Sequence, residues 1–386
     1  MTTEDVLKRN NHITKLKDSS SILENYGTCY IPEYNGIKLT VNNINQIEIK
    51  DREVIADFLF NFYRTNGFPY PKYSTKELQE DWDKLVKLDT KKVFLEPNVL
   101  SVNNLNGNLL FKHFATTFYK TKEDKAKVKD MFDSFNNDDN LKKVIRNRLG
   151  ITFFYRGVSF PFTISGNMIR QGFRSTRLCS TTSTFKASVA KAIYDRYCTN
   201  TTNVVFDYSM GFGQRLAGGL SKNNVFYIGC DPWKETYDNN VELVKFLGKE
   251  KQCELLNIGS EFYYDEKYKN TIDLAFSSPP YFNKEVYSEE LTQCYNQGYD
   301  YFINHWWKKT VENMSMMLKS NGKLIVNIVD KYKKYELSKD MLDICANYGF
   351  LLEETLYLKL SKSHLTDKVN TKNINKLEPI YVLNKS

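Results

Sequence analysis

The segment 272–282 has the sequence Ile272-Asp273-Leu274-Ala275-Phe276-Ser277-Ser278-Pro279-Pro280-Tyr281-Phe282, an apolar run that ends in a polar segment with two prolines. The short apolar run predicts a buried strand that ends at Ser277. Neither proline can donate to a sheet ladder, so the backbone must leave the sheet there. Proline also restricts the residue before it to extended geometry, which holds Ser278 and Pro279 stiffly. A rigid pair of hydrogen-bond acceptors beside the ring of Tyr281 suits a flat molecule that carries an amino group.

Composition limits the class of protein. The chain has 386 residues, 41% of them hydrophobic, and a formal net charge of +8. This length is enough for about two or three domains. No apolar run approaches the roughly 20 residues of a membrane-spanning helix, and residues 1–17 are too polar for a secretory signal. The seven cysteines have no paired spacing, which favours reduced thiols in the cytoplasm over disulfides or structural zinc. The positive charge is compatible with a polyanionic partner.

Residues 1–150 are rich in Lys, Asn and Asp and predict a mainly helical N-terminal domain. Apolar residues recur at helical spacing over residues 54–63, and Ser74 with Glu77 forms the pattern of a capping box. From about residue 151 the pattern changes to alternating aromatic and aliphatic residues with interspersed glycines. We therefore predict a domain boundary between residues 136 and 150, followed by a second domain over residues 151–386.

Three strands are predicted upstream of residue 272, and each leads into residues that could bind a ligand. The first ends in Asp207 and a turn containing Gly211 and Gly213, the second ends in Asp231, and the third is followed by residues 259–262. Glycine lets a backbone approach a ligand closely, and open α/β sheets bind cofactors at the carboxyl ends of their strands. The glycine spacing departs from the dinucleotide fingerprint GxGxxG. These strand ends therefore predict a ligand site of another kind.

The tetrapeptide Ser278-Pro279-Pro280-Tyr281 resembles the catalytic motif of the S-adenosylmethionine-dependent DNA amino-methyltransferases, in which Ser, Asp or Asn precedes Pro-Pro-Tyr or Pro-Pro-Phe. The resemblance covers about residues 180–386. It implies an α/β, Rossmann-like methyltransferase fold with a mostly parallel seven-stranded sheet. The last three strands are expected at residues 323–328, 351–360 and 379–383.

The resemblance also implies a cofactor and a set of site residues. The cofactor is S-adenosylmethionine, and Asp231 is expected to accept hydrogen bonds from both of its ribose hydroxyls. Residues 183–194 resemble the helix-starting motif that lines the methionine end of the cofactor pocket. The expected cofactor-binding residues are Phe185, Asp207, Ser209, Gly211, Gly213, Asp231, Glu261 and Ser277. The expected catalytic residues are Ser278, Pro279, Pro280 and Tyr281.

The implied reaction is methyl transfer to the exocyclic amino group of a DNA base flipped out of the duplex. The Ser278 side chain and the Pro279 carbonyl would accept the amino protons. Tyr281 would stack on the base, and because stacking needs only the ring, Tyr281→Phe is expected to keep most activity. Serine before Pro-Pro-Tyr favours cytosine N4, because its hydroxyl can both donate and accept.

Alternatives to this function stay open at the level of sequence. They are an adenine-N6 DNA methyltransferase, an RNA or protein-glutamine amino-methyltransferase, and a catalytically inactive nucleic-acid-binding relative. Because no long insert follows Tyr281, we expect residues 1–150 to carry DNA target recognition. The basic segment 361–376 is either a hairpin tip or a loop that touches DNA. A restriction subunit is a further partner compatible with the resemblance.

Overall fold

The computed structural model describes residues 30–124, 129–152, 160–180, 182–290, 292–360 and 377–386. The chain forms two compact units, one comprising Met1–Ser74 and Tyr119–Thr182, the other Thr75–Phe118 and Ser183–Ser386. Within the described ranges, every helix is too short or too polar to cross a membrane. The predicted hairpin tip or loop at residues 361–376 lies outside the described residues.

The second unit is built on a nine-stranded sheet, whose strands we number in chain order. They are β1 Phe94–Glu96, β2 Val99–Ser101, β3 Asn203–Asp207, β4 Val225–Cys230, β5 Cys253–Leu256, β6 Ile272–Ser277, β7 Leu318–Asn327, β8 Phe350–Lys359 and β9 Leu377–Lys385. Their order across the sheet is β1-β2-β8-β9-β7-β6-β3-β4-β5. All strands run in one direction except β1 and β9, which pair antiparallel to their neighbours. The predicted α/β fold with a mostly parallel sheet is confirmed.

The sheet has two strands more than the seven predicted. Strand β2 pairs in parallel with the end of β8, with Val99 opposite Tyr357, and β1 pairs with β2. Both added strands are only three residues long, which is too short for a recognisable alternating pattern.

The centre of the sheet is buried on both faces. Leu274, Ala275, Phe276 and Ser277 follow one another along β6, and all are fully buried although successive side chains of a strand point to opposite faces. A continuous apolar run is typical of a parallel strand covered on both sides. Ser277 is the polar exception in this run, and its position is explained by the hydrogen bonds described below.

Helices of the second unit are Thr75–Val86, Asn108–Phe114, Ala187–Tyr197, Gln214–Leu220, Lys234–Leu247, Lys308–Met317 and Leu337–Asn347, with a π-helical segment at Tyr301–Trp307. Short helical turns lie at Thr90–Lys92, Thr116–Lys120, Glu250–Gln252, Ser260–Phe262, Glu266–Tyr268 and Phe282–Lys284, and a two-residue strand at Glu285–Val286. Helices of the first unit are Val41–Asn45, Arg52–Asn66, Met131–Asn136, Asp138–Arg148 and Gly166–Ser175. Its two-residue strands are Glu33–Tyr34, Ile37–Lys38 and Lys122–Glu123.

The two units do not divide the chain at residue 150 as the sequence predicts. Residues after 150 belong to the first unit because the helix Gly166–Ser175 packs closely on the helix Asp138–Arg148. A Cβ atom at Gly172 would lie 2.5 Å from Cγ1 of Val144, so only glycine permits this approach.

Residues 75–118 belong to the second unit because they supply β1 and β2 and a capped helix. The Asp81 carboxylate is buried and accepts hydrogen bonds from the backbone N–H groups of Gly107, Leu109 and Leu110 at 3.1, 2.7 and 3.2 Å. These groups lie at the start of the helix Asn108–Phe114, where backbone donors have no partner within the helix. The Asp81 side chain, 26 residues before Gly107, therefore caps the N-terminus of the helix Asn108–Phe114 in place of a local N-cap side chain.

Replacing Asp81 with Ala tests this long-range cap. Three backbone donors lose their acceptor in a buried place, so we expect the free energy of unfolding to fall by about 1–3 kcal/mol. Asp83→Ala is the matched control, because Asp83 lies on the same helix and is exposed. Urea denaturation of the full-length protein measures both. Equal stability of the two variants would contradict the capping role.

Candidate functional site

A cavity opens at the carboxyl ends of β3, β4 and β6. It contains about 1330 Å³ of empty space, counting the part open to solvent. The predicted site residues that line it are Phe185, Ser209, Gly211, Asp231, Glu261, Ser278, Pro279, Pro280 and Tyr281. The structure therefore brings together residues from five separate segments of the sequence. Asp207, Gly213 and Ser277 are not among the residues that line it.

The first wall of the cavity is the turn after β3. The N–H of Gly211 donates to Oδ2 of Asp231 at 3.0 Å, and the Gly211 carbonyl accepts from Nδ2 of Asn240 at 2.7 Å. Gly211 has a φ of +54°, in the left-handed region that favours glycine. The N–H of Trp233 donates to the other oxygen of Asp231 at 2.9 Å. Asp231 thus ties the glycine turn to the end of β4.

Burial raises the pKa of Asp231 to about 7, although two backbone hydrogen bonds act in the opposite direction. Asp231 nevertheless lines the cavity, and the residue as a whole is partly exposed. A group with this pKa changes its charge near neutral pH, so ligand binding that requires its ionised form depends on pH in that range.

Glu261 forms a second acidic position on the cavity wall. Its side chain is 6% exposed, and within the described part of the chain its Oε2 atom is buried without a hydrogen-bond partner. Burial raises its pKa to about 7. The carboxyl folds back over Gly259, where a Cβ atom would lie 2.4 Å from Oε2. A buried carboxyl oxygen without a partner is costly and suits a ligand that donates a hydrogen bond.

Asp207 lies behind the cavity in a fully buried cluster. Its carboxylate accepts hydrogen bonds from Nε of Arg215 at 2.8 Å, the Tyr227 hydroxyl at 2.6 Å and the Ser277 hydroxyl at 2.7 Å. Burial opposes the charge of Arg215, but the ion pair outweighs it and raises the pKa of Arg215 above its usual value. The structure thus places Asp207 and Ser277 in an internal cluster that joins the ends of β3 and β6.

Gly213 also has a structural position. It has a φ of +78° and precedes the helix Gln214–Leu220, and a Cβ atom there would lie 2.3 Å from Oδ1 of Asn240. Any side chain at this position would push the glycine turn away from the helix Lys234–Leu247. Gly213 therefore shapes the cavity wall without lining it.

Arg215 connects the cluster to the cavity. Its guanidinium donates to the Ser209 carbonyl and lies 5.9 Å from the ring centroid of Phe185. The Phe185 ring in turn packs on Phe276 of β6, with the two ring centroids 5.4 Å apart. Phe185 and Ser209 are thus held in place on the cavity wall by the cluster behind them.

The tetrapeptide Ser278-Pro279-Pro280-Tyr281 also lines the cavity. The Tyr281 hydroxyl donates to Oε1 of Glu378 at 2.6 Å and lies 3.1 Å from Oδ1 of Asn327. Burial, together with the Glu378 carboxylate, raises the pKa of Tyr281 well above its usual value. The hydroxyl is therefore neutral near pH 7 and belongs to a polar network that the sequence does not predict.

Strain follows directly after the tetrapeptide. Phe282 has a φ of +53°, which is unusual for a residue with a side chain. Its ring is buried and packs against Tyr299 and Phe302, at centroid distances of 5.2 and 5.6 Å. This packing holds the strained turn. The turn directs the chain away from the sheet and leaves Tyr281 facing the cavity.

Sequence reasoning missed several residues that line the cavity. They include Trp233, Glu285, Tyr287, Gln293, Asn327 and Glu378. Asn327 could have been found, because it is a polar residue at the end of the apolar strand β7. Glu378 could not, because it comes from β9 and reaches the site only through the antiparallel pairing of β9 with β7.

Comparisons with known proteins add little to this picture. No protein-family model matches the chain, and no curated protein matches its sequence. Several solved structures align with about half of it. They include TrmN from Thermus thermophilus (TM-score 0.35, 12% identity, 52% of this chain and 49% of that chain), a SAM-dependent methyltransferase from Aquifex aeolicus (0.34, 13%, 51% and 89%), and geranyl diphosphate C-methyltransferase from Streptomyces coelicolor with S-adenosyl-L-homocysteine (0.37, 8%, 51% and 78%). The alignment spans about half of TrmN, and at these TM-scores the function has to be argued from the cavity itself.

Replacing Arg215 with Leu tests the buried cluster. The Asp207 carboxylate, which is 0% exposed, would lose its counter-charge, and we expect the free energy of unfolding to fall by about 3–5 kcal/mol. The double variant Asp207→Asn/Arg215→Leu removes both charges and should recover part of this loss. Chemical denaturation measures both proteins. If the double variant is no more stable than the single one, the loss comes from packing and not from the unpaired charge.

Proposed function

We propose that this protein is an S-adenosylmethionine-dependent DNA methyltransferase that methylates the exocyclic amino group of a flipped-out base, with cytosine N4 favoured. The observation that carries the proposal is the convergence of the strand-end residues and the Ser278-Pro279-Pro280-Tyr281 segment on one cavity. Predicted cofactor-binding residues and predicted hydrogen-bond acceptors line the same cavity. This is the arrangement needed to position a methyl donor against an amino group.

The cavity residues fit the proposed cofactor. Asp231 offers a partly exposed carboxyl for the ribose hydroxyls, and Glu261 offers a buried oxygen without a partner for an amino donor such as that of adenine. Glu285 and Glu378 add two more carboxyls to the lining. An acidic lining favours a ligand that carries positive charge. The bound cofactor would supply a sulfonium methyl group, which is already electrophilic.

The substrate end supplies hydrogen-bond acceptors. An exocyclic amine is a poor nucleophile because its lone pair is delocalised into the ring. The Ser278 oxygen and the Pro279 carbonyl would accept hydrogen bonds from its two N–H groups and favour a tetrahedral nitrogen. Catalysis therefore rests on positioning and electrostatics. A base inside a duplex cannot reach this cavity, so it must be flipped out at a cost of a few kcal/mol.

We also propose that residues 1–150 contribute to recognition of the DNA target. A chain that starts near residue 150 cannot test this proposal, because it lacks residues 94–101, which form two strands of the sheet. Substitutions of exposed residues in the intact protein are the appropriate test. Loss of DNA affinity with unchanged cofactor affinity would support the assignment.

Asp231→Ala tests the cofactor site. Loss of hydrogen bonds to a charged acceptor should weaken S-adenosylmethionine binding by about 1.5–3 kcal/mol, measured by titration calorimetry. The control is Asp238→Ala on the neighbouring helix, where the carboxylate pairs at the surface with Lys234. Cofactor affinity that is the same in the wild type and in both variants would remove Asp231 from the site.

Cofactor binding should also depend on pH. The pKa of Asp231 is raised to about 7, so below pH 7 the carboxyl is protonated and can no longer accept two hydrogen bonds. We expect the affinity to be highest above about pH 8 and to fall by up to about tenfold per pH unit below pH 6. Calorimetry between pH 5.5 and 8.5 measures this, and Asp231→Asn should flatten the dependence. A wild-type affinity that rises as the pH falls would contradict the assignment.

Ser278→Ala tests the chemistry. Removing an acceptor for the amino protons should lower kcat far more than it changes cofactor affinity. Mass spectrometry of digested DNA identifies the product, with N4-methylcytosine expected. If N6-methyladenine is the only product, the target base is adenine and not cytosine, but the amino-methylation mechanism is kept. If 5-methylcytosine is found, both the base position and the mechanism are wrong. Transfer of a labelled methyl group to RNA or protein, with none to DNA, would show that DNA is not the substrate.

A further inference from the structure

Ser278, Tyr281 and Glu378 lie together on the cavity wall, and a hydrogen bond joins Tyr281 to Glu378. The Tyr281 hydroxyl donates to Oε1 of Glu378 at 2.6 Å. The Ser278 side chain lowers the pKa of Tyr281, as a hydroxyl directed at the Tyr281 oxygen does. All three residues line the cavity. A Ser278 hydroxyl that directs its hydrogen at Tyr281 keeps the lone pairs of its oxygen for a hydrogen-bond donor in the cavity.

Asn327 also holds Glu378. Its Nδ2 donates to Oε1 of Glu378 at 3.1 Å and to the Pro379 carbonyl at 3.0 Å, and the side chain is only 1% exposed. The orientation of the amide is therefore set by the backbone of β9. Within the described residues, no donor pairs with Oε2 of Glu378, and the side chain is partly exposed. Glu378 thus has a held oxygen toward Tyr281 and a second oxygen able to exchange a proton with water.

We propose that Glu378 is a positioning residue that acts through Tyr281 as the terminus of a proton relay from the methylated nitrogen. The inference rests on the proposed function and extends it to a residue almost 100 positions away from the tetrapeptide. The relay sets the direction of the Ser278 hydroxyl before transfer and accepts the released proton after it.

The proton and electron balance is closed within the site. The amine lone pair forms the new N–C bond, and the electrons of the broken S–C bond stay on sulfur, which becomes a neutral thioether. The nitrogen then carries a positive charge and one proton too many. That proton passes to the Ser278 oxygen, the Ser278 proton to the Tyr281 oxygen, and the Tyr281 proton to Glu378. The N–H electrons return to nitrogen, and Glu378 releases its proton to solvent.

This inference reverses one expectation from the sequence. If Tyr281 only stacks on the base, Tyr281→Phe keeps most activity. As the middle member of a relay, the hydroxyl is required, and its removal leaves Ser278 without the group that orients it. The two roles of Tyr281 therefore predict opposite outcomes for one substitution.

The test uses the full-length protein with three variants, Glu378→Gln, Tyr281→Phe and the double variant. Glutamine has nearly the same shape as glutamate but cannot take up the proton. We expect Glu378→Gln to lower the single-turnover rate of methyl transfer by about hundredfold, typical of lost acid–base assistance, with cofactor affinity within about twofold of wild type. The double variant should be no slower than the slower single variant, because both substitutions break the same relay.

Further readouts separate a relay from a merely structural role. The ratio of the rates in H₂O and in D₂O should be no larger in Glu378→Gln and in Tyr281→Phe than in the wild type. The pH–rate profile of Glu378→Gln should differ from the wild-type profile. Glu353→Gln, a substitution at an exposed position of β8, is the surface control. Thermal unfolding checks that Glu378→Gln is folded. A folded Glu378→Gln protein with wild-type rate and pH profile would overturn the relay, whereas a wild-type protein that methylates no amino group would overturn the proposed function instead.

Discussion

The buried ion pair between Asp207 and Arg215 is the interaction on which the cavity depends. Asp207 ends β3, and through its carboxylate it holds Tyr227 of β4 and Ser277 of β6. The ends of β3 and β6 and the middle of β4 are thereby fixed to one charged group. A buried charge that loses its partner is expensive, whereas a fully hydrogen-bonded one tolerates little displacement. The cluster therefore sets the positions of the glycine turn and of the tetrapeptide relative to each other.

The cavity in front of this cluster is lined by more acidic than basic residues. Four acidic residues, Asp231, Glu261, Glu285 and Glu378, line the cavity, against two basic residues, Lys186 and Arg215, and Arg215 is paired with the buried Asp207. Two of these, Asp231 and Glu261, have pKa values raised to about 7 by burial. The site is thus poised to ionise when a ligand supplies hydrogen-bond donors or positive charge. Such shifts are typical of functional sites, although structural networks produce them as well.

The tetrapeptide shows how local sequence and distant structure combine. The prolines alone dictate that the chain leaves the sheet after Ser277. The left-handed turn at Phe282, by contrast, is maintained by aromatic packing against Tyr299 and Phe302. The ring of Tyr281 faces the cavity because of the first constraint and stays there because of the second. Its hydroxyl donates a hydrogen bond to Glu378 of β9, 97 residues further along the chain.

Sequence alone determined the α/β class, the strands from β3 to β9 and nine of the residues on the cavity wall. It could do so because parallel strands place their carboxyl ends at one edge, so residues after successive strands converge without any knowledge of packing. Tertiary structure decided the rest. Asp207 and Ser277 turned inward because both lie on fully buried strand ends, and burial forces polar groups to pair with each other. Residues 75–118 joined the sheet through strands too short to leave a pattern. Glu378 reached the tetrapeptide only through strand pairing, which depends on long-range register and not on any local signal.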